Sequence, residues 1–65
     1  MTGADVREVQ RALFEKGFDL GEDGVDGIFD PATDVAVKSF QQQKSLRVDG
    51  IVGGATRAAL GLYND

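Results

Sequence analysis

Two aspartates in this sequence stand directly before glycine and could act on a ligand. Asp26-Gly27 and Asp49-Gly50 each follow a valine, so the tripeptide Val-Asp-Gly occurs twice. An exposed turn of this kind could present its carboxylate to sugar hydroxyls or peptide amides. The same carboxylate could instead accept hydrogen bonds from backbone N–H groups of its own turn, as aspartate before glycine commonly does. These four residues are therefore candidate ligand-binding residues with a structural alternative.

A catalytic role would require Asp26 and Asp49 to form a carboxylate pair of the glycosidase kind, about 5–9.5 Å apart across a cleft. A chain of 65 residues rarely offers such a cleft. The sequence contains no histidine and no cysteine, which removes the commonest general base and the Ser-His and Cys-His nucleophiles. We expect no enzymatic activity from this chain alone.

Further polar candidates lie on the helices expected around the two turns. Gln10 falls within the apolar stripe of a first helix, where an amide without partners costs roughly 1–3 kcal/mol, so we expect it to bond a loop backbone. Gln41 is expected to do likewise, with ligand binding as the alternative. Thr56 and Arg57 lie in the first turn of the last helix, where N–H donors and a guanidinium could meet an anion. The other basic residues that could contact carboxylates, or simply form a solvated surface, are Arg7, Arg11, Lys38, Lys44 and Arg47.

The acidic residues between positions 19 and 30 raise the question of a calcium loop. If Asp26 and Gly27 were the fifth and sixth loop positions, Gly24 would be the third and Thr33 the twelfth, where a bidentate glutamate belongs. The spacing therefore fails, and we expect neither a metal nor a cofactor. The acidic residues concerned are Asp19, Glu22, Asp23, Asp26 and Asp30.

Composition limits the classes of partner. Seven basic and eleven acidic side chains give a net charge of −4, whereas a nucleic-acid binder normally carries a concentrated basic patch. No run approaches the ~20 apolar residues of a membrane-spanning helix. The length supports one core, so we expect a single domain over residues 1–65 with its core in 5–62. We expect this domain to be a monomer. The start lacks the features of a secretory signal, so we expect either that the chain stays inside the cell or that it is a piece of a longer exported protein.

Three helices are predicted to position the candidate residues. The first should run from about residue 6 to 16, with Asp5 as N-cap and an apolar stripe that ends in Leu13 and Phe14. Gly17 should stop it in the left-handed conformation, and Phe18 should fold back on Leu13 in a Schellman motif.

The second helix is expected from Pro31 to about Lys44, with Asp30 as N-cap. Its wide apolar arc, which includes Val35, indicates contacts on both sides and hence a central position. Ser45 should replace the glycine of the first helix stop, at a cost of about 1 kcal/mol. The third helix is expected at about 54–60, and no alternating run indicates a strand. The predicted fold is an all-α, compact three-helix bundle with core residues Phe18, Phe29, Phe40 and Val52.

The two Val-Asp-Gly turns belong to a longer internal repeat, in which residues 25–33 match residues 48–56. Each copy reads as a turn, two apolar residues and a helix start. Val9-Gln10 and Phe40-Gln41 form a weaker echo upstream of the copies.

From Asp5 to Leu60 the chain resembles the peptidoglycan-binding-like domain family. Asp30 and Ser45 stand where the family usually has glycine, and Gly54 where it usually has proline. The segments that carry the resemblance are Asp5-Val6-Arg7-Glu8-Val9-Gln10-Arg11-Ala12-Leu13, Gly17-Phe18, Val25-Asp26-Gly27-Ile28-Phe29, Pro31-Ala32-Thr33, Ala36-Val37, Phe40-Gln41, Leu46, Val48-Asp49-Gly50-Ile51-Val52-Gly53, Ala55-Thr56 and Ala58-Ala59-Leu60.

This resemblance implies a non-catalytic module that binds peptidoglycan, through its glycan or its stem peptide, and localises an attached wall-processing enzyme. It implies a catalytic domain elsewhere in the parent chain and a location outside the cell, in the periplasm or in the wall. The alternative is a protein-docking or prodomain module of the same fold that touches no wall polymer. The acidic composition favours this alternative slightly, because peptidoglycan itself carries carboxylates.

Overall fold

The computed structural model describes residues 3–22 and 24–62, which form three α-helices. They are α1 (Gly3–Glu15), α2 (Pro31–Gln43) and α3 (Gly54–Leu60). The described part of the chain contains no strand, which confirms the all-α prediction. Within these ranges no helix has the length and apolar character needed to cross a membrane.

The core lies on the inner face of α1. Val9 and Leu13 of this helix are completely buried, and they pack in one cluster with Phe40 of α2 and Leu60 of α3. Helix α1 contacts both α2 and α3, which contact each other less. The central helix is therefore α1, and the prediction that α2 is central was wrong. The apolar arc on which that prediction relied included Val35, which is 62% exposed.

Helices α2 and α3 begin with the same backbone but with different side chains. Asp30 caps α2 with φ −94° and ψ 177°, and its carboxylate accepts a hydrogen bond from the Thr33 N–H. Gly53 caps α3 with φ −91° and ψ −167°, and it has no side chain to offer. Helix α1 begins at Gly3, so that Asp5 lies in its first turn and the prediction of Asp5 as N-cap was wrong.

All three helices end in the predicted Schellman arrangement. In each, a residue with positive φ follows the helix, and the next residue donates its N–H five positions back. The bonds are Phe18 to Leu13 at 3.0 Å, Leu46 to Gln41 at 2.8 Å and Leu62 to Arg57 at 2.8 Å. Glycine occupies the left-handed position at the ends of α1 and α3, whereas Ser45, with φ 58°, occupies it after α2.

Two phenylalanines lie at the surface, and for Phe29 this contradicts its prediction as a core residue. Phe14 is 62% exposed and Phe29 is 38% exposed, so neither belongs to the core. Phe40 is 1% exposed, and it meets Phe18 edge to face with ring centroids 5.8 Å apart. Phe18 and Val52 are partly buried against the core cluster, in line with their prediction.

Candidate functional site

The first Asp-Gly turn is held by the buried side chain of Gln10 on α1. Its Oε1 accepts hydrogen bonds from the backbone N–H groups of Asp26 (3.0 Å) and Gly27 (2.8 Å). Its Nε2 donates to Asp26 Oδ1 (3.1 Å), to the Ile28 carbonyl (2.8 Å) and to Thr33 Oγ1 (2.9 Å). One amide thus ties α1 to the turn and to the first turn of α2.

The second Asp-Gly turn is held in the same way by Gln41 on α2. Gln41 Oε1 accepts from the N–H groups of Asp49 (3.2 Å) and Gly50 (3.0 Å). Its Nε2 donates to Asp49 Oδ1 (3.1 Å), to the Ile51 carbonyl (2.9 Å) and to Thr56 Oγ1 (3.2 Å). We call these two arrangements the Gln10 clamp and the Gln41 clamp.

The clamps confirm that both glutamines bond loop backbone. They also show each aspartate bonding its own turn, because Ile28 N–H donates to Asp26 Oδ1 and Ile51 N–H donates to Asp49 Oδ1, both at 2.9 Å. No buried side-chain nitrogen or oxygen among the described residues lacks a partner. The clamps are therefore fully satisfied polar networks, of the kind that rigidify a small fold.

Two carboxylates of the network are held in the charged form. The N–H of Thr33 lowers the pKa of Asp30 below its ordinary value of 3.8, and the Thr33 hydroxyl adds to the effect. The N–H of Ile51 lowers the pKa of Asp49 from the same value, with a further contribution from the Gln41 amide. Hydrogen bonds to the ionised form are the cause in both cases.

A groove of about 210 Å³ opens between the second turn and the start of α3. Gln41, Asp49 and Thr56 of the clamp contribute to its polar part. Apart from Arg47, which was among the basic candidates, the other lining residues were not predicted as site residues. The additional lining residues are Leu46, Arg47, Ile51, Gly53, Gly54 and Ala55.

The groove lies where the second copy of the internal repeat has two glycines in place of residues with side chains. Asp30-Pro31 of the first copy corresponds to Gly53-Gly54 of the second. A Cβ atom added at Gly53 or at Gly54 would find no atom within 4 Å, so both positions border open space. This difference between the two copies is visible in the sequence when they are compared residue by residue.

The remaining candidates do not line the groove. Gly50 has φ +73° and packs closely on α2, where an added Cβ would lie 2.6 Å from Asp34 Oδ1. Asp26 and Gly27 belong to the Gln10 clamp and do not line the groove. Arg57 donates from its guanidinium to Glu8 Oε1 at 2.7 Å, which joins α3 to α1, and it is not a lining residue either.

The acidic residues that the structure describes in the α1–α2 loop do not form a metal-binding cluster. No group of three or more His, Cys, Asp or Glu side chains in ranges 3–22 and 24–62 is arranged to hold a metal ion. Asp26 and Asp30 are engaged in the hydrogen bonds described above, and Asp19 accepts from the Gly21 N–H at 2.8 Å. Asp23, which the calcium hypothesis included, lies outside the described residues.

Comparison with known proteins connects this arrangement to one family. Residues 2–60 match the family model described as "Putative peptidoglycan binding domain". The N-acetylmuramoyl-L-alanine amidase CwlL of Bacillus licheniformis is 41% identical over 59 residues, which cover 91% of this chain and 16% of that protein. The spore cortex-lytic enzyme of Bacillus cereus is 41% identical over 59 residues, covering 91% of this chain and 22% of that protein.

A third relative comes from a different setting. The type VI secretion system spike protein VgrG3 of Vibrio cholerae serotype O1 is 42% identical over 67 residues, covering 86% of this chain and 7% of that protein. The chain thus spans only a small part of each of these relatives. No solved structure shows significant similarity to it.

Proposed function

Because the chain belongs to the peptidoglycan-binding domain family, we propose that it is a non-catalytic module that holds an attached wall-processing enzyme on peptidoglycan. The observation that carries the proposal is the match over residues 2–60, together with relatives whose names are those of wall amidases and cortex-lytic enzymes. The module would act as a monomer in a longer exported protein, outside the cell, in the periplasm or in the wall.

The binding surface that we propose is the groove beside the Gln41 clamp. The clamp fixes the backbone of the second turn through side-chain hydrogen bonds, so the groove is already formed before any ligand arrives. A preformed site avoids the entropic cost of ordering a loop on binding. Weak binding at one such groove is sufficient. A short tether raises the effective concentration of the attached enzyme at the wall to roughly the millimolar range.

The arrangement of the aspartates supports a module without catalysis. Asp26 is bonded to Gln10 of α1 and Asp49 to Gln41 of α2, so each carboxylate already accepts bonds in its own turn. A glycosidase pair would instead face a common cleft with room for the scissile bond. The hydrolytic activity would then reside in another domain of the parent chain.

A sedimentation assay with insoluble peptidoglycan sacculi tests the proposal. The purified chain is incubated with sacculi at two salt concentrations, beside an unrelated acidic protein of similar size. We expect retention above the control and release on addition of soluble muropeptides. A chain that stays in the supernatant at high micromolar concentration would show that it does not bind the wall.

A specific surface favours a second candidate function, which is docking on another protein. A hollow of about 360 Å³ is lined by Val6, Phe29, Gly50, Ile51 and Val52, and Ile51 is 67% exposed. Apolar side chains at the surface are a feature of protein interfaces. Absence of retention on sacculi, combined with a complex between the chain and its parent catalytic domain in gel filtration, would favour this candidate.

A further inference from the structure

The lining of the groove indicates which part of peptidoglycan it fits. Leu46, Ile51 and Ala55 supply an aliphatic floor, and Arg47 and Asp49 supply charges of opposite sign. None of the lining residues is aromatic. Recognition of a pyranose ring generally uses the face of an aromatic side chain, whereas an alkyl chain with charged ends matches aliphatic side chains flanked by ions.

The phenylalanines of the described residues lie elsewhere. Phe40 is buried in the core, and Phe18 packs on it edge to face. Phe14 lies in a separate hollow beside Arg11 and Glu15 on α1. Phe29 belongs to the apolar hollow on the far side of Ile51. Among residues 3–22 and 24–62, the groove therefore has no aromatic side chain on which a sugar ring could stack.

Arg47 is the cation available at this groove. Arg57 forms an ion pair with Glu8, and Lys38 forms one with Asp34 at 3.0 Å. Arg47 is exposed, and its side chain makes no ion pair or hydrogen bond within the part of the chain that the structure describes. Its charge does act on Asp49, whose pKa it helps to lower after the Ile51 N–H and the Gln41 amide. A guanidinium in this state can form a bidentate bond with an incoming carboxylate.

We propose that the groove recognises the stem peptide of peptidoglycan and not its glycan strand. The inference rests on the wall-binding function proposed above. Arg47 pairs with a carboxylate of the stem, Asp49 pairs with a side-chain amine, and the intervening methylene groups and methyl side chains lie on Leu46, Ile51 and Ala55. Net charge gives the module no general attraction to the acidic polymer, so these local contacts supply the specificity.

The test compares two solid supports made from the same wall preparation. One is intact sacculi, and the other is glycan strands from which an amidase has removed the stem peptides. Because loss of the peptide cross-links makes these strands soluble, they are coupled to beads before use. We expect retention on intact sacculi, at least tenfold weaker retention on stripped strands, and release from sacculi by free stem peptide but not by chito-oligosaccharide. Equal retention on both supports overturns the stem-peptide inference and leaves wall binding intact. Absence of retention on intact sacculi overturns wall binding itself.

Two substitutions of matched charge locate the site. Arg47→Gln should weaken retention about tenfold, equivalent to 1.4 kcal/mol, whereas Arg11→Gln on α1 should leave it unchanged. Both residues are exposed, so neither change threatens the fold. Loss in Arg11→Gln with retention in Arg47→Gln would place recognition beside Phe14, at the exposed aromatic ring, and would overturn the inference.

A third variant separates loss of binding from loss of folding. Gly53→Asn places a capping side chain where the first copy has Asp30, and nothing lies within 4 Å of the new Cβ. The variant should melt at a higher temperature than the parent chain because it gains a cap. It should also bind sacculi less tightly, because the side chain occupies the groove. A more stable variant with undiminished retention would exclude the groove as the site.

Discussion

Replacing Gln10 by glutamate exchanges one NH₂ group for oxygen in a buried side chain and leaves the shape almost unchanged. In the parent chain Nε2 of this residue faces three acceptors, which are Asp26 Oδ1, the Ile28 carbonyl and Thr33 Oγ1. The new oxygen would confront all three without a proton to donate. Only the Thr33 hydroxyl could turn toward it, and that would cost the bond from this hydroxyl to Asp30 Oδ1 at 2.9 Å.

The magnitude follows from these contacts. Each acceptor left without a donor costs about 1–3 kcal/mol when buried, and the carbonyl and carboxylate here are partly hydrated. We therefore expect Gln10→Glu to lower the free energy of unfolding by about 3–4 kcal/mol at pH 7. A domain of 65 residues has roughly 3–10 kcal/mol in total, so the variant would be close to unfolding.

The pH dependence of the variant's stability tests the role of the clamp more sharply than its stability at pH 7 does. Burial beside acceptors raises the pKa of the new carboxyl above its ordinary value, so the folded state binds more protons than the unfolded state. The free energy of unfolding of the Gln10→Glu variant must then increase as pH falls from 7 toward about 4.5, because protonation restores one donor. Urea denaturation followed by circular dichroism at several pH values measures this, with Gln42→Glu as the exposed control of equal charge. Equal stability of the two variants at pH 7, or a variant that weakens on acidification, would refute the role assigned to the clamp.

Three further outcomes are expected. Ser45→Gly should raise the melting temperature by several degrees, because φ 58° costs a residue with a side chain about 1 kcal/mol; thermal denaturation measures it. Gly50→Ala should lower the free energy of unfolding by about 1–3 kcal/mol in urea, chiefly because alanine is strained at φ +73°; its methyl group would also displace the flexible Asp34 carboxylate, whose Oδ1 lies 2.6 Å from the added Cβ. Acid should destabilise the parent chain: Asp30 and Asp49 have lowered pKa values, so their contribution is present above pH 3.8 and is lost as pH falls through the folded values. Thermal denaturation at pH values from about 5 to about 2 measures this loss of stability.

Two of these have a control within the chain. Gly61→Ala also places a side chain at positive φ, but with no atom within 4 Å, so it isolates backbone strain from the steric clash at Gly50. Equal effects at the two glycines would contradict the clash. Asp30→Asn and Asp49→Asn should each make the acid melts less dependent on pH, and an unchanged profile in both would contradict the assignment. A lower melting temperature for Ser45→Gly would show that its left-handed cap carries no strain.

The sequence predicted the clamps better than it predicted the packing. An amide within an apolar stripe requires buried partners, and this requirement alone identifies the structural role of Gln10 and Gln41. Periodicity misplaced Phe14 and Val35, both 62% exposed, because a stripe marks an apolar face without showing how much of it a neighbour covers. For the same reason periodicity placed α2 at the centre of the bundle, where α1 lies.

The sequence predicted three polar residues of the groove, Gln41, Asp49 and Thr56, but not the residues that leave it open. Side-chain chemistry points to residues that carry functional groups, whereas this groove owes its space to Gly53 and Gly54, which have no side chains. A position at a helix start favoured Arg57 among the basic residues. Its pairing with Glu8, 49 positions away in sequence, is a tertiary contact that spacing along the chain does not reveal.

The clamps also affect how fast the Asp-Gly bonds of this polypeptide are chemically modified. Asp-Gly bonds in flexible peptides convert to isoaspartate, through attack of the glycine nitrogen on the aspartate side-chain carbon. In both turns here the glycine N–H is held by a glutamine oxygen, at 2.8 Å for Gly27 and at 3.0 Å for Gly50, and the aspartate Oδ1 is fixed by two donors. The folded chain should therefore form isoaspartate at these bonds far more slowly than its unfolded form does, which peptide mapping after prolonged incubation would reveal. A glutamine that shapes a turn thus also preserves the covalent backbone of that turn.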